Sequence, residues 1–296
     1  MIMYSKYFLR CICLLLAVLC LAGEVTPALA KDDIRATIEA KKDNSRIINV
    51  PLRGETQFYS QKNPLYASMV YEYRKSPTSR IFGDGGCAPT SGAMAIMALL
   101  DAESLPALQK YTKEGTPFSL CPHSINSYGC RRCKERMPIT AAADYKKYLP
   151  LVLGAYACGD NKEGTVWRRA SATAGGSGGT GAQFLESLCP HLGLTCEMLK
   201  SPKKGDWLDQ IDEDTVGIML SISSPFTGGS HYVTVISADK DYFYILDPME
   251  PESYKKKNDP NRVLEVIEPG LVRVKRSNYK RMGVYTAYLI SKPAEK

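Results

Sequence analysis

Residues 228–248 read Gly-Gly-Ser-His-Tyr-Val-Thr-Val-Ile-Ser-Ala-Asp-Lys-Asp-Tyr-Phe-Tyr-Ile-Leu-Asp-Pro, and few segments of this chain restrict its fold as strongly. Two runs rich in β-branched and aromatic residues, His231 to Ser237 and Tyr242 to Leu246, flank Ala238-Asp239-Lys240-Asp241, whose residues favour a turn. The pattern predicts a β-hairpin. Antiparallel pairing brings the start of the first strand beside the end of the second, so His231 and Asp247 meet despite their separation in sequence. A histidine at a strand start is ordinarily a polar edge residue, and Asp-Pro after a strand is ordinarily a turn. Brought together, they form an imidazole whose N–H a carboxylate accepts, which selects one tautomer and stabilises the imidazolium.

An imidazole held in this way is useful to a nucleophile, and residues 83–97 supply a candidate. Gly83-Asp84-Gly85-Gly86-Cys87 runs into Ala88-Pro89-Thr90-Ser91-Gly92-Ala93-Met94-Ala95-Ile96-Met97, a glycine-rich turn leading into a helix. Pro89 suits the first helical turn, where its missing N–H costs nothing, and Ala93, Met94, Ile96, Met97 and Leu100 provide an apolar face. Cys87 therefore sits at the positive end of a helix dipole. That field and a nearby histidine can lower a thiol pKa from about 8.5 to roughly 3.5–7.5, turning an inert group into a thiolate. Without such a partner the same cysteine reads equally well as a core residue.

With these residues in place, the chain resembles the C39-like peptidases of the papain-like cysteine peptidase superfamily. The resemblance spans most of the chain after its N-terminal apolar run. It begins at Phe58-Tyr59-Ser60-Gln61-Lys62-Asn63-Pro64-Leu65-Tyr66, continues through Gly86-Cys87-Ala88-Pro89-Thr90-Ser91, and ends in His231-Tyr232-Val233-Thr234-Val235 and Leu246-Asp247-Pro248. It implies an α+β, papain-like fold in which a helix carrying the nucleophile packs against a bent antiparallel sheet. It further implies Cys87 as nucleophile, His231 as base and Asp247 as the orienting carboxylate. Two positions depart from the pattern: Ala88 stands where relatives carry Gly, and Ile81 stands where papain-like enzymes place the oxyanion-hole glutamine. Gln61 is the candidate for that role, if its loop returns to the site. The backbone N–H of Cys87 supplies an oxyanion donor in either case.

The first thirty residues read as a secretory signal peptide. Lys6 and Arg10 precede an apolar run from Cys11 to Ala22, and Ala28-Leu29-Ala30 is a small-x-small cleavage site. The run is shorter than the roughly 20 residues a spanning helix needs, and no later segment is apolar enough to cross a membrane. The expectation is a protein secreted or held in the periplasm or cell envelope, without a stable membrane anchor. Three of the ten cysteines leave with the signal; Cys87, Cys121, Cys130, Cys133, Cys158, Cys189 and Cys196 remain. An odd number suits one catalytic thiol and three disulfides in an oxidising compartment. Cys189 with Cys196 is the nearest local pair. Cys121, His123, Cys130 and Cys133 form an alternative tetrahedral zinc set, disfavoured because it strands three cysteines. The reading requires no metal and no cofactor.

Three units are expected: the signal at 1–30, a polar lead at 31–55, and a peptidase domain at 56–296 with a cysteine-rich insertion around 111–136. The lead holds a weak helical stretch and a strand at Arg46-Ile47-Ile48-Asn49-Val50-Pro51, and its removal as a pro-segment is left open. Glycine-rich residues 174–181 lack the Lys-Ser/Thr ending of a phosphate loop and read as a hinge. Thr180 is expected to cap a helix through Leu188, with Gly193 at its exit. Further strands are expected at Val216 to Ile222, Leu271 to Val274 and Val284 to Ile290. Apolar residues make up 44% of the chain, enough for a substantial core, and the net charge of +7 is dispersed. Lys255-Lys256-Lys257 is a solvated run and no nucleic-acid partner is expected. The function expected is peptide-bond hydrolysis on a peptide or protein. Two alternatives stay open, a cell-wall peptide amidase and a catalytically silent peptide- or glycan-binding module.

Overall fold

A computed structural model describes residues 34–71, 81–113, 115, 117–121, 123, 136–167, 180–199, 202–222, 225–227, 229–250 and 263–294. The signal segment, Cys130, Cys133, Lys255 to Lys257 and most of the 174–181 glycine stretch lie outside the described residues. In chain order the elements are α1 (Ile34–Glu39), β1 (Arg46–Val50), β2 (Gly54–Phe58), α2 (Phe82–Gly85), α3 (Cys87–Leu99), β3 (Ser119–Leu120), β4 (Met137–Pro138) and α4 (Ala142–Ala157). They continue with α5 (Phe184–Leu188), β5 (Thr195–Leu199), β6 (Thr215–Ser221), β7 (His231–Ala238), β8 (Tyr242–Leu246), β9 (Glu265–Glu268), β10 (Leu271–Lys275) and β11 (Val284–Ser291). The result is an α+β chain whose helices precede most of its strands.

Seven strands form one sheet in the order β5-β11-β6-β7-β8-β10-β9, and every neighbouring pair is antiparallel. The two strands of the predicted hairpin lie near its middle. Asp239 closes the turn between them: its side chain accepts the N–H groups of Asp241 and Tyr242, each at 2.7 Å. These bonds imitate a backbone turn. Strand β9 has no counterpart among the predicted elements, because Glu265-Val266-Ile267-Glu268 is partly exposed and lacks clean alternation.

Alternate residues along β6 and β7 serve two apolar clusters. Val216, Ile218, Tyr232 and Ile236 face the cluster built around α3 and α4, whereas Met219, Val233 and Val235 join Trp207, Phe243 and Tyr279 on the opposite side. A sheet covered on both faces fits the near-continuous burial of β7. Helix α3 is buried almost all round, as expected of a helix with little polarity on any face. At Gly92 a Cβ would lie 3.1 Å from Leu185 and 3.3 Å from Leu153, so a glycine lets α4 and α5 pack close to the helix.

Arg53 joins the two halves. From the β1–β2 turn its guanidinium donates to the carbonyls of Ala98 (2.7 Å), Ile236 (3.2 Å), Asp212 (2.7 Å) and Glu213 (3.2 Å). Ala98 lies in the last turn of α3, where carbonyls lack helical partners. Burial lowers the Arg53 pKa, opposed by the nearby acidic residues.

Thr180 does not cap the following helix. The helix begins at Phe184 after Gln183, with no side-chain cap, while the Thr180 hydroxyl is bonded to the Tyr71 phenol. A buried tyrosine thus takes the oxygen that local sequence assigns to a backbone N–H. The C-terminal expectation agrees with the structure: Gly193 is left-handed, at φ 72°. Strands β3 and β4 pair with each other and bracket the cysteine-rich stretch, whose residues 122 and 124–135 lie outside the described set.

Candidate active site

The site is assembled from the start of α3, the start of β7 and the end of β8. Cys87 is the first residue of α3, which comes directly after the short helix α2 and Gly86. Gly86 makes this junction possible, since a Cβ there would lie 2.6 Å from the Phe82 ring. Thr90 then donates its hydroxyl to the Gly86 carbonyl at 2.7 Å, securing the turn from within the helix.

His231 and Asp247 are both buried, at 3% and 0% exposure, and Nε2 of the imidazole lies 2.6 Å from Oδ1 of the carboxylate. The sequence expectation that they meet agrees with this structure, but they are not cross-strand partners. Thr234 stands opposite Leu246, and the ladder shifts by one residue between Val235 and Ser237. Continuing that register places Asp247 opposite Val233, so His231 reaches it diagonally. Diagonal neighbours on one face are about 7–8 Å apart, a gap that long side chains span. The carboxylate is held by its own backbone: its N–H donates to the Gly270 carbonyl at 2.8 Å, and Oδ1 accepts the Met249 N–H at 2.9 Å. Gly270 has φ 82°, and a Cβ there would lie 2.5 Å from the Phe58 ring. Phe226 adds an apolar cover, its ring centroid 5.9 Å from that of His231.

With Nε2 committed to Asp247, the other ring nitrogen is left for Cys87, which hydrogen-bonds His231. The sulfur also takes the backbone N–H groups of Tyr232 and Ala88. Burial pushes the Cys87 thiol up, yet His231 and these two N–H groups outweigh it and hold the pKa below its ordinary 9.0. Burial pushes His231 down, and the Asp247 charge and hydrogen bond, aided by Cys87, outweigh it and raise the imidazole from 6.5 to about 10. Both shifts favour the thiolate–imidazolium form.

Gln61 returns to this region by a route its position in sequence does not reveal. Its backbone N–H donates to the Pro248 carbonyl at 2.8 Å, next to Asp247, and its side-chain Nε2 donates to the Gly83 carbonyl at 2.8 Å, just before the Cys87 turn. The side chain is 1% exposed and its Oε1 has no hydrogen-bond partner. Ile81 instead forms an isolated bridge with Val70.

The other cysteines lie elsewhere. Cys121 and Cys158 are buried, and Cys189 and Cys196 are hydrogen-bonded to each other as thiols. No disulfide joins two of the five described cysteines. Among the described residues no group of three His, Cys, Asp or Glu side chains could hold a metal ion. His191 stacks on Tyr111 with ring centroids 3.3 Å apart, and burial lowers its pKa. Reading the sequence alone misses Ser91, Tyr232, Thr234 and Phe226 as members of the site. The first three had a signal in their spacing, because Ser91 is one helical turn beyond Cys87, while Tyr232 and Thr234 share a strand with His231.

No family model matches the chain, and no curated protein matches it. Among solved structures it is similar to the crystal structure of a double glycine motif protease from an AMS/PCAT transporter in complex with the leader peptide. The two are 15% identical over 51% of this chain and 77% of that chain, with a TM-score of 0.28. A likeness at that level carries no argument about what this chain does.

Proposed function

We propose that this chain is a thiol hydrolase that cleaves peptide bonds, with Cys87 as nucleophile, His231 as acid and base, and Asp247 as orienting carboxylate, on a C39-like, papain-like scaffold. The observation that supports this most is the buried 2.6 Å contact between His231 and Asp247 beside a helix-start cysteine whose pKa is held below 9.0. In the proposed reaction the Cys87 thiolate attacks a substrate carbonyl. Backbone N–H groups at the start of α3 bind the oxyanion. The imidazolium gives its proton to the departing amine, leaving a thioester, and His231 then takes a proton from the water that hydrolyses it. Gln61 is proposed as a further oxyanion donor, because its Nε2 carries a second hydrogen beyond the one given to Gly83.

The proposed setting is secretory, with the first thirty residues removed and the protein released or held in the cell envelope. No helix among the described residues is long and apolar enough to cross a membrane. In an oxidising compartment Cys189 and Cys196 would close a disulfide, a step supported by their contact as thiols. The remaining cysteines would complete the staples proposed from their number.

Digestion of unstructured protein and of purified peptidoglycan by the mature chain, with release of new amines as the readout, tests the reading. Hydrolysis of protein that is lost in Cys87→Ser and His231→Ala supports a peptidase. Hydrolysis of peptidoglycan alone moves the activity to a cell-wall amidase, and no hydrolysis of either leaves a peptide- or glycan-binding module.

A further inference from the structure

The strand that carries His231 is fastened to the helix that carries Cys87 by two hydroxyl groups. Ser91, one turn into α3, donates its hydroxyl to the Tyr232 carbonyl at 3.1 Å. Thr234 donates its hydroxyl to the Ser91 carbonyl at 2.9 Å. Ser91 and Thr234 are both 0% exposed, so neither bond is exchanged with water. Between them lies Tyr232, whose backbone N–H is given to the Cys87 sulfur. The Tyr232 phenol oxygen is fixed as well, accepting the Ala182 N–H at 3.3 Å.

The position of this seam in the sheet explains why helix and strand meet there. Pairing between β7 and β8 begins at Thr234 opposite Leu246, two residues beyond Tyr232. On the β8 side of Tyr232 the ladder has therefore not started, and the polar groups of α3 take the place of a strand. The cysteine receives the N–H and the serine gives to the C=O of the same residue. These two groups belong to the peptides on either side of the Tyr232 Cα, so a change in the backbone dihedrals at Tyr232 would carry the N–H away from the sulfur and shift His231, its immediate neighbour, at the same time.

We propose that Ser91 and Thr234 are positioning residues that act through the Tyr232 backbone, fixing its dihedrals so that its N–H stays on the Cys87 sulfur and setting the distance between the thiol and His231. This rests on the thiolate–imidazolium reading of the site. The pair touches neither substrate nor reacting atoms. It decides instead how well a thiolate is stabilised before any substrate arrives, since a hydrogen bond to a charged group depends strongly on its geometry.

The test is alkylation of Cys87 by iodoacetamide across a range of pH, in the full mature chain, with the labelled peptide identified by mass spectrometry. Thr234→Val removes the hydroxyl at nearly constant volume, Thr234→Ser keeps it, and Ser91→Ala removes the donor to Tyr232. The expected result is a Cys87 midpoint raised by about one pH unit in Thr234→Val and in Ser91→Ala, and unmoved in Thr234→Ser. Melting temperatures measured alongside separate this from a structural role, which would lower stability without moving the midpoint. An unmoved midpoint in folded Thr234→Val overturns the proposal, even if Ser91→Ala fails to fold. His231→Ala separates that failure from failure of the underlying reading: if the histidine variant also leaves the midpoint unmoved, there is no ion pair for the hydroxyls to position.

Discussion

Cys87 and Cys189 are both cysteines in contact with a single side-chain partner, and their thiols are driven in opposite directions. The Cys189 thiol is raised well above its ordinary value, first by its hydrogen bond with Cys196 and then by burial. The Cys87 thiol meets the same penalty from burial, but its partner is an imidazole that can carry positive charge, and its pKa falls. A second thiol offers no charge of opposite sign, whereas His231, backed by Asp247, does. Burial beside a second thiol thus holds a cysteine in its neutral, inert form, and burial beside a supported cation favours its thiolate.

The largest effect separating these cysteines is on turnover. Cys87→Ser and His231→Ala should each lower the rate of peptide hydrolysis by more than about a thousandfold, measured with the substrate identified by the digestion assay. Cys189→Ser should leave the rate within about threefold. Loss of activity in Cys189→Ser, with Cys87→Ser active, would reverse the assignment of the two thiols.

The pH dependence sharpens the same contrast. Turnover should rise as Cys87 deprotonates below 9.0 and fall as His231 loses its proton near 10, giving a bell whose alkaline limb moves to lower pH in Asp247→Asn. Stability changes with a defined sign. The folded His231 pKa is raised from 6.5 to about 10, so its contribution is complete below 6.5 and is lost as pH rises through about 10. The melting-temperature gap between the wild-type chain and Asp247→Asn should therefore be widest below pH 6.5 and narrow towards pH 10. A gap that widens with pH would contradict the raised imidazole.

A smaller effect comes from packing at the Cys87 turn. Gly86→Ala puts a methyl group against the Phe82 ring and should destabilise the chain by about 1–3 kcal/mol in urea denaturation. Comparable in size, and opposite in sign, is the effect of oxidising the second thiol pair. Closing Cys189 to Cys196 with a glutathione redox buffer should stabilise the chain by about 2 kcal/mol, the chain-entropy value for so short a loop. If Cys189 and Cys196 stay unpaired in that buffer, or either forms its disulfide with Cys87, the pairing of these two thiols is wrong.

Much of the candidate site is legible because its parts are local. The turn at Asp239, the bounds of β8, the glycine junction before Cys87 and the tolerance of Pro89 in the first turn of α3 all depend on residues within a few positions of one another. The failures share a different cause. Thr180 has the chemistry of a helix cap, but the Tyr71 phenol, far away in sequence, takes its hydroxyl. The diagonal reach of His231 depends on a bulge at Ile236 that an apolar residue does not announce.

What the sequence determined by itself is the set of reactive groups and the local frames that present them: a cysteine at a helix start, and a histidine and an aspartate at the two ends of a hairpin. Short-range turn and strand preferences suffice for that, because each acts over a handful of bonds. Only the tertiary structure decided what is packed around the three reactive side chains. The Tyr232 N–H, the Ser91 and Thr234 hydroxyls and the return of Gln61 between Gly83 and Pro248 arise from contacts across 22 to about 190 residues. Such contacts result from packing a buried helix against a sheet, where volume and hydrogen-bond satisfaction are settled by the whole core and leave no periodic trace in the chain.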